Sequence, residues 1–219
     1  MPFAKKKGEL ERRAYSFEVR AEKRENDNII IGRPIVYDAK TDIGGLFEEV
    51  IEKGALDETD LTDVRFLVNH NTSMIPLARS RRNNGNSTMK LSVDDKGMEI
   101  ETKLDIENNS DARNLYSAVQ RGDISGMSFM FSIDEEDWSN LESEYPQRRI
   151  LKIGSVVEVS AVTWPAYEQT EINSRSKETL ESARSALENA RQQKENSVDT
   201  EAELERIKFY KKYYGGRNS

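Results

Sequence analysis

Between Tyr15 and about Trp164, apolar and polar residues alternate in short runs bounded by turn residues, the period-two signature of half-buried strands. Phe17 and Val19 alternate with polar neighbours, Ile29 to Tyr37 is a β-branched run interrupted by Gly32 and Pro34, and Phe47 to Ile51 follows a turn at Gly44-Gly45. Val64 to Val68 predicts another strand, and Met89 to Val93 with Met98 to Leu104 predicts a hairpin across Asp94-Asp95-Lys96-Gly97. Strands resume at Met127 to Ile133 and from Ile150 to Val162, a run ended by Trp164-Pro165. One helix interrupts them, with Asn109 or Ser110 as N-cap, Ala112, Leu115, Tyr116 and Val119 on one face, and Gly122 as the stop. About seven strands with so few helices favour a mainly β, α+β fold, closed or nearly closed into a barrel, over a parallel doubly wound sheet.

After Asn173 the period changes. Ser176 to Glu195 carries Leu180, Ala183, Leu187 and Ala190 at three-four-three spacing, a short coiled-coil-like seam. A polar break at Asn196-Ser197 precedes a second helix over Thr200 to Tyr214, and Gly215-Gly216 opens a polar end. The chain divides into a flexible basic N-terminus (1–14), a folded domain (15–173) and a helical tail (174–219).

Composition narrows the chemistry. There is no cysteine and one histidine, so the paired His and Cys ligands of zinc and iron sites are missing and neither a metal nor a cofactor is expected. A net charge of −7 argues against a generic nucleic-acid partner. The basic and aromatic mixture Arg206 to Tyr214 reads first as a docking peptide or a solvated helix. No stretch approaches membrane-spanning length and Met1 to Arg13 has no signal-peptide core, so a cytoplasmic chain is expected.

The single histidine, His70, follows the strand Val64 to Val68 and is the obvious candidate base for a hydroxyl nucleophile. Along Met127 to Ile133 the alternation sends Met127, Phe129, Phe131 and Ile133 to the core and Ser128, Met130 and Ser132 to the other, accessible face. Gly126 just before Ser128 permits close backbone approach by a substrate. A serine on the polar face of a strand is ordinarily just solvated. Glu158 stands alone in the apolar run Val156 to Val162 and either lies at the surface, as an ordinary edge-strand glutamate, or has a partner, His70 or one of the many arginines. Ser125 is the one serious rival nucleophile; Ser132 and Ser160 read as strand positions. Asn69 and Asn71 are candidate donors or orienters, although such residues beside a strand end are more often turn formers.

Taken in order, Val64-Arg65-Phe66-Leu67-Val68-Asn69-His70-Asn71, Pro76-Leu77-Ala78-Arg79, Gly122-Asp123-Ile124-Ser125-Gly126-Met127-Ser128-Phe129 and Glu158-Val159-Ser160-Ala161-Val162-Thr163-Trp164-Pro165-Ala166-Tyr167 resemble the tailed-phage prohead maturation protease family. Asp42-Ile43-Gly44-Gly45 and Glu49 to Leu56 fit its upstream pattern, so the resemblance runs from about Ile31 to Glu171.

This resemblance implies a serine endopeptidase with an assemblin-like β-barrel surrounded by helices, distantly related to the herpesvirus enzyme. It implies action in the host cytoplasm, inside the immature capsid, on the scaffold portion of the major capsid protein precursor, and self-cleavage in the linker and tail. Carried over by position, His70 is the base, Ser128 the nucleophile and Glu158 the third member; a second histidine, as in the herpesvirus relatives, is unavailable here. Family precedent points to a homo-oligomer, with no membrane contact. Two residues depart from the family pattern: Ala78 and Met130 stand where relatives often carry glycine, and Met130 shares the face of Ser128. The rival from another class is a noncatalytic protease-like protein retained as an internal scaffold through its helical tail.

Overall fold

A computed structural model describes residues 10–15, 19–25, 27–163 and 174–214. Phe17, the Trp164-Pro165 stop and Gly215-Gly216 lie outside the described residues. Eleven strands and two helices follow in chain order: β1 (Leu10–Tyr15), β2 (Val19–Arg24), β3 (Asp27–Val36), β4 (Thr41–Asp42), β5 (Glu48–Ile51), β6 (Asp63–Val68), β7 (Ala78–Arg81), β8 (Met89–Asp94), β9 (Gly97–Leu104), α1 (Ser110–Arg121), β10 (Gly126–Ser139), β11 (Gln147–Val162) and α2 (Ser174–Tyr214).

The strands form two sheets. One runs β1-β10-β11-β5-β4, with β6 also on β11 and β7 on β6; the other runs β2-β3-β9-β8. The mainly β, α+β class is as expected, but the two sheets do not close into a barrel. The organising element is the long hairpin β10–β11. The 16-residue β11 is long enough to take two parallel partners in succession, β5 along its first part and β6 along its last. That places the end of β6, and with it His70, across β11 from the segment of β10 that carries Ser128.

Alternation explains the main core. Met127, Phe129, Phe131 and Ile133 of β10 are buried with Ile30, Ile35 and Ile100 of the second sheet. The apolar face of α1 (Ala112, Leu115, Tyr116, Val119) joins them. Asn109 is the N-cap of α1: its side chain accepts from the N–H groups of Asp111 and Ala112, while Gly122 ends the helix in the left-handed region at φ 80°. In the β8–β9 hairpin, Gly97 sits at φ 131°, and a Cβ there would meet the Ile35 carbonyl oxygen at 2.1 Å, so only glycine fits.

Two readings of the termini are corrected. Residues 10–14, expected in a flexible N-terminus, are part of β1, paired antiparallel with β10 from Leu10↔Ser132 to Tyr15↔Met127. Its charged residues suggested solvent, yet Glu11 and Arg13 are buried and paired. The break expected at Asn196-Ser197 is absent, and α2 is one 41-residue helix. Its seam is already occupied: Ala183, Ala186, Leu187 and Ala190 pack on Ile43, Phe47, Trp138 and Leu141 in a second core. Gly44, at φ 60°, leaves room for Leu180, which a Cβ at that position would strike. Leu204 and Phe209, further along α2, are exposed.

Candidate active site

Strand pairing assembles the site. Ser128 of β10 lies opposite Ser160 of β11, and Met130 lies opposite Glu158, so all four side chains share one face of the hairpin. On the other side of β11, Ser160 pairs with Leu67 and Ala161 with Val68 of β6. The ladder continues one residue further, with the Asn69 N–H donating to the Ala161 carbonyl at 2.9 Å.

There the chain turns sharply. Asn69 and His70 both hold positive φ, 52° and 55°, a conformation costly for residues other than glycine and sustained only when neighbours fix it. Two contacts do so. The Asn69 side chain clasps Thr163, donating from Nδ2 to Oγ1 at 2.8 Å and accepting the Thr163 N–H at 3.0 Å. The His70 N–H donates to Ser160 Oγ at 2.9 Å. The turn swings the imidazole back over β10 and β11.

His70 Nε2 lies 2.5 Å from Ser128 Oγ, and His70 Nδ1 lies 2.7 Å from Glu158 Oε2. Ser160 Oγ donates to the other carboxylate oxygen, Oε1. The carboxylate is almost fully buried and its partners account for both oxygens, which lets an apolar strand tolerate it. Chemically, the carboxylate accepts the Nδ1 proton and leaves the Nε2 lone pair facing the serine hydroxyl, the tautomer that can remove its proton. The structure thus brings together His70, Ser128 and Glu158; Nε2 meets Ser128 rather than Ser125. Asn71 is a turn former, its Oδ1 accepting the Ser73 N–H at 3.2 Å.

Ser160 is the residue that sequence reasoning passed over. Its signal was the spacing Glu158-Val159-Ser160, which on a strand puts the hydroxyl and carboxylate on the same face. Ser128 was expected at an accessible surface and is instead 1% exposed. The reason is β1, which lies alongside it: Ala14 is its register partner, and Ser128 Oγ lies 2.7 Å from the Arg13 carbonyl oxygen, which can accept its proton. One hydroxyl proton therefore faces two acceptors, the imidazole and a main-chain carbonyl.

A buried ion cluster holds β1 in place. The Arg13 guanidinium bonds both oxygens of Glu49 at 2.5 and 2.7 Å, and Glu11 bonds Arg148 at 2.8 and 2.9 Å. Arg148 also bonds Glu136 and Glu49. Burial pushes the Glu49 carboxyl up, but the guanidiniums of Arg13 and Arg148 outweigh it and hold the group below its ordinary value. Among the described residues, no group of three or more His, Asp or Glu side chains is placed to hold a metal ion.

Residues 15–185 match the family model of the caudovirus prohead serine protease, more than half of the chain. The chain belongs to this family. Among solved structures, that of the bacteriophage T4 capsid assembly protease gp21 is similar at 13% identity and a TM-score of 0.37, covering 70% of this chain and 99% of that one. A comparison with curated proteins gave no match. The prohead protease family match includes the whole β10–β11 hairpin and the first residues of α2, up to and including Ala183 of the second core but not Ala186, Leu187 or Ala190.

Proposed function

We propose that this member of the prohead protease family is a serine endopeptidase that cleaves the scaffold portion of a capsid protein precursor during prohead maturation. The observation that carries this reading is the unbroken line of hydrogen bonds from Glu158 through His70 to Ser128. Ser128 Oγ attacks the scissile carbonyl while its proton passes to His70 Nε2. The imidazolium so formed is stabilised by Glu158 and then protonates the leaving amine. Water, deprotonated by His70, hydrolyses the acyl-enzyme and restores Ser128.

Family membership supports a capsid precursor as substrate and the interior of the immature capsid as the place of action. No described helix is long and apolar enough to cross a membrane. The outer part of α2 carries the exposed apolar residues Leu204 and Phe209, which suit contact with a scaffold segment or a second copy of the chain.

The test is incubation of the purified protein with capsid precursor, with products read by mass spectrometry. Scaffold fragments from the wild type, and none from Ser128→Ala, are expected. Equal fragments from Ser128→Ala would overturn Ser128 as the nucleophile, and no fragments from the wild type would favour the noncatalytic scaffold reading instead.

A further inference from the structure

Resting on the serine endopeptidase reading, we propose that the slot filled by β1 is the enzyme's own substrate groove, selecting a basic residue just before the cleaved bond and an acidic residue two positions earlier, so that Arg13–Ala14 is a self-cleavage site.

Three observations lead there. First, β1 is an edge strand among the described residues, paired there only with β10, the strand that carries the nucleophile. An extended segment added to a sheet edge gains main-chain hydrogen bonds whatever its sequence, and the pockets for alternate side chains set its specificity. Second, the main-chain group of β1 at the nucleophile is the Arg13 carbonyl, 2.7 Å from Ser128 Oγ. Third, the side chains that alternate ahead of this carbonyl, Arg13 and Glu11, enter fully buried charged positions rather than solvent. Without β1, the slot keeps two carboxylates, Glu49 and Glu136, and one guanidinium, Arg148. Leaving Glu49 buried without the Arg13 guanidinium is costly, so a replacement strand must bring a cation to it. An acidic residue two positions earlier then meets Arg148, as Glu11 does.

The resting strand is poised but not attacked. The Arg13 carbonyl oxygen faces the hydroxyl and competes with His70 for its proton. The Arg13–Ala14 peptide plane must turn to present its carbon. Ser128 Oγ then bonds that carbon as its proton passes to His70, the bond to the Ala14 nitrogen breaks, and His70 protonates the departing amine. Water hydrolyses the ester, releasing residues 1–13 with a new carboxylate on Arg13 and reopening the slot.

The full chain, wild type and Ser128→Ala, is incubated with capsid precursor and analysed by intact mass and N-terminal sequencing. The expected result is a wild-type chain beginning at Ala14 and an intact Ser128→Ala chain. Synthetic peptides spanning residues 9–16 are then supplied to the processed wild type, which avoids any folding defect. Replacing the arginine at position 13 by Gln is expected to lower kcat/KM at least tenfold, and replacing the glutamate at position 11 by Gln severalfold. Ser128-dependent cleavage of the precursor by chains that keep residues 1–13, or peptides cleaved equally with and without the arginine, would overturn the inference and leave the endopeptidase reading standing. No Ser128-dependent cleavage of any substrate would overturn both.

Discussion

Ser160 fixes His70 through the main chain: its hydroxyl accepts the His70 N–H at 2.9 Å while donating its own proton to Glu158. One side chain thereby holds His70 in its strained turn and satisfies the Glu158 carboxylate that is hydrogen-bonded to its imidazole. Ser160→Ala removes both contacts and leaves a buried N–H and carboxylate oxygen underpaired, a cost of about 1–3 kcal/mol each. The expected outcome is a fall in kcat of roughly 10- to 100-fold with KM little changed, measured by steady-state cleavage of a peptide substrate. Restoration by Ser160→Thr, which keeps the hydroxyl, is expected to be partial. A change confined to KM would contradict this role.

In the proposed mechanism Glu158→Gln keeps the shape of the side chain but removes the charge that would stabilise the imidazolium, and its amide can favour the wrong imidazole tautomer. The expected loss in kcat is roughly a thousandfold or more, the size seen when a triad carboxylate becomes an amide. Activity near wild type would assign the orienting role elsewhere.

Glu49 gives a pH-dependent prediction. Its carboxyl is held below the ordinary value of 4.5 in the folded protein. A depressed pKa contributes stability that is fully present above the unfolded value and is lost as pH falls through the folded one. Glu49→Gln is therefore expected to destabilise the chain by about 3–5 kcal/mol at neutral pH, because Arg13 and Arg148 lose a buried partner. Below about pH 4.5 the gap should narrow as the wild-type carboxyl protonates. Urea midpoints of the two proteins across this range check the sign.

The two parts of α2 should respond differently to mutation. Leu187 is buried against the second core, so Leu187→Ala is expected to cost about 2–3 kcal/mol. Leu204 is half-exposed, and Leu204→Ala is expected to stay within about 0.5 kcal/mol. Denaturant unfolding of both variants compares the buried and the exposed part of α2.

These elements also show what the sequence made legible. Period-two alternation sufficed for β10 and β11, because one face of each packs on an apolar core and the other carries polar chemistry. The capped helix α1 was readable from Asn109 and Gly122 for the same local reasons. Pairing was not readable: that β11 takes β5 and then β6 depends on its length and on contacts distant in sequence. β1 was missed because Glu11 and Arg13 look like solvated charges until Glu49 and Arg148 are placed beside them. The joining of α2 into one helix was hidden by polar residues at 196–197 that suggest a loop. In the site, residue identities pointed to His70, Ser128 and Glu158, whereas the buried state of Ser128 followed from β1 and so escaped notice.

The central claim is that Ser128 is the nucleophile and His70 its base. The most direct measurement is labelling with a serine-reactive fluorophosphonate in a preparation actively cleaving capsid precursor, followed by peptide mapping. The account predicts one adduct, on the peptide at Ser128, with its rate reduced at least a thousandfold in His70→Ala. An adduct on Ser125, or cleavage that stops without any modification of Ser128, would contradict it.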